Sequence, residues 1–404
     1  MTINFRLFRR MAVRSFFRSA GTHGPLTRKR LMFLLWYYPF WGILLFFGWL
    51  GFLLDDLLFP SYRKQPVEKP LFILSNHRSG STFVQRTLVR DAATFTSMTS
   101  GQIYFMPSIT QRRLVGLLAR VDALIGRPGE RLLRWVDAST LGKVRLHPIG
   151  LFDAEEDENI LFYLWSTFLI GFPFPYLDEM PPYQYFDTAI ARDDRLRIMG
   201  FYRACVQRHL YATGGRYYVS KNPFFSAKIE TLLEIFPDAR ILYLVRNPLD
   251  MLPSTVSVFS YAWHLFSDPP EQYPRRDEIL AWTQYWYNHP LAVLDRDPSP
   301  WRWTVKYDDL LRSPDAVMHD LYQRCGYPES EESARLLREA ATAAQSYTST
   351  HEYHYEAMGF SREQIVEAYE EVFARFGFDR RGPPDERAAS EDELAANAAF
   401  ARPA

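Results

Sequence analysis

The longest uninterrupted apolar run comes early. Leu31–Leu54, LMFLLWYYPFWGILLFFGWLGFLL, holds 24 residues without a charge, long enough to span a bilayer as a helix. Its tryptophans and tyrosines, Trp36, Tyr37, Tyr38, Trp41 and Trp49, suit a membrane interface. Pro39 and Gly42 fall mid-run, so a single kinked span and a re-entrant hairpin are both open. The run is too long and too far into the chain for a cleaved signal peptide. Beyond it the apolar positions come in shorter blocks. Leu71–Leu74 has the length and character of a buried parallel strand, and Arg240–Val245, RILYLV, is a second. Tyr217–Ser220 and Trp301–Lys306 are further strands. Helical spacing covers 83–91, 112–123, 130–136, 195–211, 226–236, 261–290 and 361–376, and Ser313-Pro314 opens another helix. Strands alternating with helices predict an α/β fold with a parallel sheet.

Charge divides the chain. Lys+Arg and Asp+Glu balance at 47 each, which argues against a nucleic-acid partner. Yet no acidic residue precedes Asp55, whereas Arg6, Arg9, Arg10, Arg14, Arg18, Arg28, Lys29 and Arg30 do. Residues 5–18 could therefore lie on an anionic surface as an amphipathic helix. By the positive-inside rule a single span puts the rest of the chain on the far side of the membrane, and a hairpin keeps it cytosolic. Cys205 and Cys325, the two cysteines, both sit in apolar-periodic segments, so no disulfide framework is expected. The predicted organisation is a basic segment 1–30, a membrane-associated segment 31–54, a polar linker 60–70, a catalytic domain 69–377 and a disordered tail 379–404.

Candidate chemistry gathers where strands stop. After Leu71–Leu74 comes Ser75-Asn76-His77-Arg78-Ser79-Gly80-Ser81-Thr82, then a helix. Strand, short polar loop and helix aim backbone N–H groups and a positive helix end at an anion. Arg246-Asn247-Pro248 ends the second strand, and Ser254 follows on the next helix, a second site of the same design. Glu155, Glu156, Asp157 and Glu158 crowd what reads as the first turn of a helix capped by Asp153, just before Ile160 and Leu161. At least one of these carboxylates should lean into the core margin, where a raised pKa suits a base. Gly171–Asp187, rich in proline and aromatics, reads as an irregular loop, either a wall of a substrate pocket or a packed surface loop.

These residues together resemble a family. Arg78-Ser79-Gly80-Ser81-Thr82 is similar to the 5′-phosphosulfate loop of sulfotransferases that use 3′-phosphoadenosine 5′-phosphosulfate (PAPS), and Arg246-Asn247-Pro248 with Ser254 to their 3′-phosphate motif. Lys221-Asn222-Pro223, the acidic run at 155–158, Tyr307-Asp308-Asp309-Leu310 and Gly359-Phe360-Ser361 resemble the bacterial branch. The resemblance implies a P-loop-like three-layer fold over 69–377 and transfer of a sulfuryl group from PAPS to a hydroxyl, less readily an amine, releasing 3′,5′-ADP without a metal. It implies that Arg78, Ser79, Gly80, Ser81 and Thr82 grip the 5′-phosphate, that Arg246 and Ser254 hold the 3′-phosphate, and that Phe83 and Tyr307 flank the adenine. The Lys-x-His of the cytosolic branch is replaced by Lys221-Asn222-Pro223, so the base comes from elsewhere: Glu156 first, Glu155 next, with His77 and His147 as outside candidates and Lys221 touching the sulfuryl group. The glycine-rich C-terminal phosphate segment of that branch is also missing, leaving Arg or His between 351 and 362 as substitutes.

Two other classes fit less well. A P-loop kinase or NTPase requires Gly-x4-Gly-Lys-Ser/Thr, which is absent. An inactive membrane-bound adaptor on the same fold would not need Arg78 and Arg246. The apolar anchor and the aromatic loop point to a lipid or other apolar alcohol as acceptor.

Overall fold

The computed structural model describes residues 3–139, 150–214, 216–345 and 355–381. Five parallel strands form one sheet in the order β2-β3-β1-β4-β5: β1 (Leu71–Ser75), β2 (Phe95–Thr96), β3 (Tyr217–Lys221), β4 (Arg240–Val245) and β5 (Arg302–Lys306). The helices are α1 (Phe5–Phe17), α2 (Arg28–Leu58), α3 (Ser81–Arg90), α4 (Ser100–Tyr104), α5 (Ile109–Leu124), α6 (Pro128–Ser139), the single turns α7 (Pro181–Gln184) and α8 (Phe186–Ala189), α9 (Arg192–Thr213), α10 (Ile229–Ile235), α11 (Pro248–Phe266), α12 (Arg276–Arg296), α13 (Tyr307–Arg312), α14 (Pro314–Cys325), α15 (Glu331–Gln345), α16 (Arg362–Ala368) and α17 (Glu370–Phe376).

Alternation along the strands sorts these helices into layers. Leu71, Ile73, Leu242 and Leu244 point to one face, where α3, α13, α14 and α15 cover them through Val84, Leu310, Met318 and Leu337. Phe72, Leu74, Ile241 and Tyr243 point to the other, covered by α9 to α12 with α16 and α17. The expected three-layer α/β fold is present. Both cysteines are buried free thiols.

Five local expectations are resolved or corrected. The apolar run is no hairpin: α2 is one helix of 31 residues that passes through Pro39. The amide bond lost to proline costs less than the backbone groups a turn would strand in apolar surroundings. The acidic run does not open an α-helix capped by Asp153; it leads into a 3₁₀ turn over Asp157–Leu164. The 226–236 helix begins as a 3₁₀ turn, Pro223–Lys228, and α11 and α12 are separate helices where the pattern read one continuous element over 261–290. Finally, the 171–187 stretch is not a surface loop: Phe174, Tyr176, Met180 and Phe186 are fully buried.

The N-terminal helices share the core of the sheet domain. Leu7, Met11, Leu34, Tyr37, Trp41 and Phe52 belong to the same apolar cluster as Phe72 and Tyr243. Along α2, Tyr37 meets the edge of Phe174 at 5.2 Å, Trp41 stacks on Phe162 at 4.8 Å, and Trp49 Nε1 donates to Tyr163 O at 3.1 Å. Glycine permits the close approach: a Cβ at Gly48 would stand 2.1 Å from Tyr163 Cε1. The stretch expected to be a polar linker is also packed. Tyr62 is buried, and Gln207 Nε2 donates to Arg63 O at 2.9 Å and Gln65 O at 3.0 Å. The predicted tail from 382 onward, His147 and residues 351–354 lie outside the described residues.

Candidate active site

The candidate residues lie at the carboxyl ends of neighbouring strands, where parallel α/β sheets place their ligand crevices. β1 runs into Asn76–Thr82, β3 into Lys221-Asn222-Pro223, β4 into Arg246-Asn247-Pro248, and β5 into Tyr307. The two basic-Asn-Pro triplets do the same local work. Each Asn side chain accepts from an amide two residues on, Phe224 N for Asn222 and Leu249 N for Asn247, at 3.0 Å in both cases. Proline then takes the first position of the following turn or helix, where no amide donor is needed. The base at each strand end is thereby held outside the helix, facing the crevice.

After β1, Arg78 and Gly80 both adopt left-handed backbone, φ 61° and 82°. α3 then starts at Ser81 with no side-chain cap, so its first amides remain available to an anion. Gly80 is fixed sterically as well: a Cβ there would lie 2.8 Å from Leu310 Cδ2 and 3.1 Å from the Tyr307 ring. Ser79 and Ser81 are buried; Ser79 Oγ donates to His77 O at 3.4 Å, and Ser81 Oγ accepts from Ser75 Oγ at 3.3 Å. Thr82 and Phe83 are half-buried, and Phe83 rests against the apolar layer under α3.

The two anion loops touch. Arg246 Nη1 donates to Arg78 O at 2.8 Å, its guanidinium lies 4.6 Å above the Tyr307 ring, and its own carbonyl accepts from Tyr287 Oη at 2.5 Å. Asp250 Oδ2 stands 3.6 Å from Arg246 Nε. Burial raises the Asp250 carboxyl pKa; Arg246 opposes that and Asp308 adds to it. Ser254 Oγ and Arg246 Nε are buried without a hydrogen-bond partner. A buried hydroxyl left unpaired is uncommon, and Ser254 Oγ suits an oxyanion acceptor such as a phosphate, as does the Arg246 guanidinium, whose Nε has only Asp250 opposite it at 3.6 Å. The donor set therefore fits a nucleotide carrying two phosphate-type groups.

The acidic run distributes its four carboxylates. Glu156 Oε1 accepts from Lys221 Nζ at 2.8 Å. Asp157 accepts from Tyr202 Oη, Tyr218 Oη and Ser220 Oγ at 2.5, 2.6 and 2.7 Å. Glu158 and Lys228 form a wholly buried pair at 2.5 Å. Glu155 turns back, its Oε1 accepting from the Glu156 amide at 2.9 Å. Asp157 and Glu158 are fully buried and Glu155 nearly so, which leaves Glu156 the most exposed of the four. Burial, opposed by the three hydroxyl bonds, raises the Asp157 pKa to about 6. The Asp157–Ser220 bond is a positioning device, since Glu156 precedes one partner and Lys221 follows the other. Sequence reading passed over it. Its signal was the polar pair Tyr218 and Ser220 on one face of a buried strand, which requires a polar group opposite.

His77 is enclosed by rings, with Phe224 at 5.4 Å, Phe259 at 5.7 Å and Trp286 at 6.1 Å. Arg362 is exposed and pairs with Glu363. Burial raises the Tyr104 hydroxyl pKa, with the charges of Glu155 and Glu156 adding to it, and the Tyr104 ring meets Trp41 of α2 at 6.1 Å.

The chain belongs to the sulfotransferase family, whose sequence profile matches residues 70–332. Among its relatives, the omega-hydroxy-beta-dihydromenaquinone-9 sulfotransferases Stf3 of Mycobacterium bovis and Mycobacterium tuberculosis are each 26% identical over 250 residues. That match spans 59% of this chain and 61% of each relative's length. The crystal structure of sulfotransferase STF9 from Mycobacterium avium superimposes with a TM-score of 0.72 at 18% identity, covering 95% of this chain and 99% of that one. STF1 from Mycobacterium tuberculosis gives 0.67 at 17% identity, with 91% and 92% covered. At such identities the likeness establishes the fold.

Proposed function

We propose that this protein transfers a sulfuryl group from PAPS to the hydroxyl of a lipid-like acceptor. The observation that carries this reading is the junction of the two strand-end loops, Arg246 Nη1 on Arg78 O, with Ser254 Oγ of the following helix buried and without a hydrogen-bond partner. PAPS supplies an activated sulfuryl group and leaves as 3′,5′-ADP. Arg78, the amides of Gly80 to Thr82 and the Ser79 and Ser81 hydroxyls hold the 5′ end, where negative charge grows as the S–O bond breaks. Arg246 and Ser254 hold the 3′-phosphate and so select PAPS over ATP. Phe83 and Tyr307 flank the adenine. Glu156 takes the proton from the acceptor hydroxyl as its oxygen attacks sulfur in line, and Lys221 neutralises the sulfuryl oxygens. Glu155 orients Glu156 through its amide.

The acceptor class follows from position. The relatives are named for a hydroxylated menaquinone, and Trp41 of α2 stacks on Phe162 in the turn that follows Glu156. Among the described residues, α2 is the one helix long and apolar enough to cross a membrane. We read it as a membrane attachment that brings the acceptor's apolar body near the base.

Thermal unfolding with added nucleotides tests the reading. 3′,5′-ADP should raise Tm, ADP and ATP should not, and Arg246→Ala should abolish the shift. An equal response to ATP would refute PAPS use. Glu156→Gln should keep the 3′,5′-ADP shift while reducing transfer to an apolar alcohol by about 10²–10⁴-fold; near-normal turnover would reassign the base.

A further inference from the structure

Beyond its first turn, which packs on α2 and α9, the α5–α6 hairpin is covered by nothing in the described fold. α5 is a 16-residue helix with only Ile109 buried, and α6 has 12 residues and none buried. Leu114, Leu117, Leu118, Val121 and Leu124 follow one another at helical spacing along α5, all exposed. Ile125 in the connecting turn and Trp135 on α6 are 69% and 66% exposed. A hairpin on a water-soluble surface buries such a stripe and presents its charges outward. This one is nonetheless firmly built. Ser108 and Gln111 form a capping box, and Asp122 Oδ1 and Oδ2 accept from the Gly129 and Glu130 amides at 2.7 and 2.9 Å.

The hairpin is rooted on α2. Asp55 accepts from the Ile109 and Thr110 amides, both at 2.8 Å, and from Arg208 Nε at 3.1 Å. Gln111 Nε2 donates to Phe47 O at 3.3 Å, and Gly51 leaves room for Ser108. α2 itself is held at both ends, by Arg30 Nη1 on Pro173 O at 2.6 Å and by Asp55 at the other. Its free stripe, including Leu35, Trp36, Ile43, Phe46, Leu50 and Leu57, thus faces away from the domain over the whole length of the helix. A helix pinned along a globular domain cannot also stand upright across a bilayer.

We propose that the α5–α6 hairpin inserts into an anionic bilayer beside α2, holding the protein on one leaflet with α2 in the plane of the membrane. This rests on reading α2 as a membrane attachment and adds a second, independent element. Charge favours lipid over a second copy of the chain. Exposed Arg113 and Arg120 on α5, Arg6 and Arg9 on α1, Arg18 at its end and Arg28 at the start of α2 have no ion-pair partner among the described residues. Their stems reach past apolar surface to headgroup phosphates, whereas a self-complementary dimer would bring these arginines together. Apolar surface with cationic flanks is the pattern of elements that lie in a membrane interface.

Flotation of the full chain with vesicles of equal parts phosphatidylcholine and phosphatidylglycerol tests this. Leu117→Glu/Val121→Glu/Leu124→Glu should weaken flotation about tenfold or more, with an unchanged near-ultraviolet circular dichroism spectrum. Because both native cysteines are buried, Ile125→Cys can be labelled selectively with a polarity-sensitive fluorophore, whose emission should shift to the blue on adding vesicles. If the wild type floats while the triple variant floats equally well and the label stays in water, the hairpin is not a membrane element and the attachment by α2 stands alone. If the wild type does not float, both readings fall. A label already shielded without lipid, in a chain that sediments as a dimer, replaces the bilayer with a second copy.

Discussion

Asp157 shows what one buried carboxylate does to the pH response. Its folded-state pKa of about 6 lies above the ordinary 3.8, so the folded chain holds that proton more tightly than the unfolded one. The resulting contribution is fully present below about pH 4, is lost as pH rises through about 6, and stays lost above it; a shift of this size corresponds to about 3 kcal/mol. Asp157→Asn carries no charge at any pH. Its stability relative to wild type should therefore rise by up to about 3 kcal/mol between pH 4 and pH 7 in urea unfolding. A pH-independent difference would show that the hydroxyls of Tyr202, Tyr218 and Ser220 fully offset the burial. In the same comparison transfer should slow while 3′,5′-ADP binding holds, because Asp157 fixes the register of Glu156 and Lys221 without belonging to the nucleotide loops.

At the scale of elements, the stretch 155–158 works as a clasp between the sheet and its helical layer. Glu156 reaches the end of β3, Asp157 reaches β3 and α9, and Glu158 reaches Lys228 just before α10. Removing one partner of a wholly buried pair strands the other, so Lys228→Met should cost about 3–5 kcal/mol, measured by denaturant unfolding at neutral pH. A loss under 1 kcal/mol would mean that Glu158 is readily protonated in place. How legible these elements are in the sequence depends on where their information resides. Four of the five strands, the two strand-end loops and most long helices follow from local periodicity and from the Arg-Asn-Pro and Ser-Gly-Ser-Thr spacing, whereas β2, two residues long, leaves no period to read. The acidic clasp does not follow from them, because its partners lie 45 to 70 residues away. Glu156 and Lys221 were each named as candidates, but their pairing was not foreseen, and nothing local distinguishes Glu156 from its three neighbours. The α2 run was read correctly as an apolar helix but not as a core helix, because hydropathy does not report that Gly48 and Gly51 form a seam.

Across the whole molecule, that seam makes the N-terminal helix a structural member. Gly→Val in a free helix would be mildly stabilising by propensity alone. Here Gly48→Val would drive a side chain into the Tyr163 ring, adjacent to the 3₁₀ turn that follows Glu156. We expect a lower Tm, by about 2 °C for roughly 2 kcal/mol, together with slower transfer, in differential scanning calorimetry and activity assays. Unchanged values for both would mean that α2 can swing away without disturbing the catalytic side. The same seam bears on release. Many membrane enzymes are freed as soluble fragments when a protease clips the stalk between anchor and domain. Clipping this chain between α2 and β1 would free nothing, because Tyr37, Trp41, Phe52 and Asp55 would still hold the two pieces together. An enzyme fastened in this way keeps its address for as long as it keeps its fold.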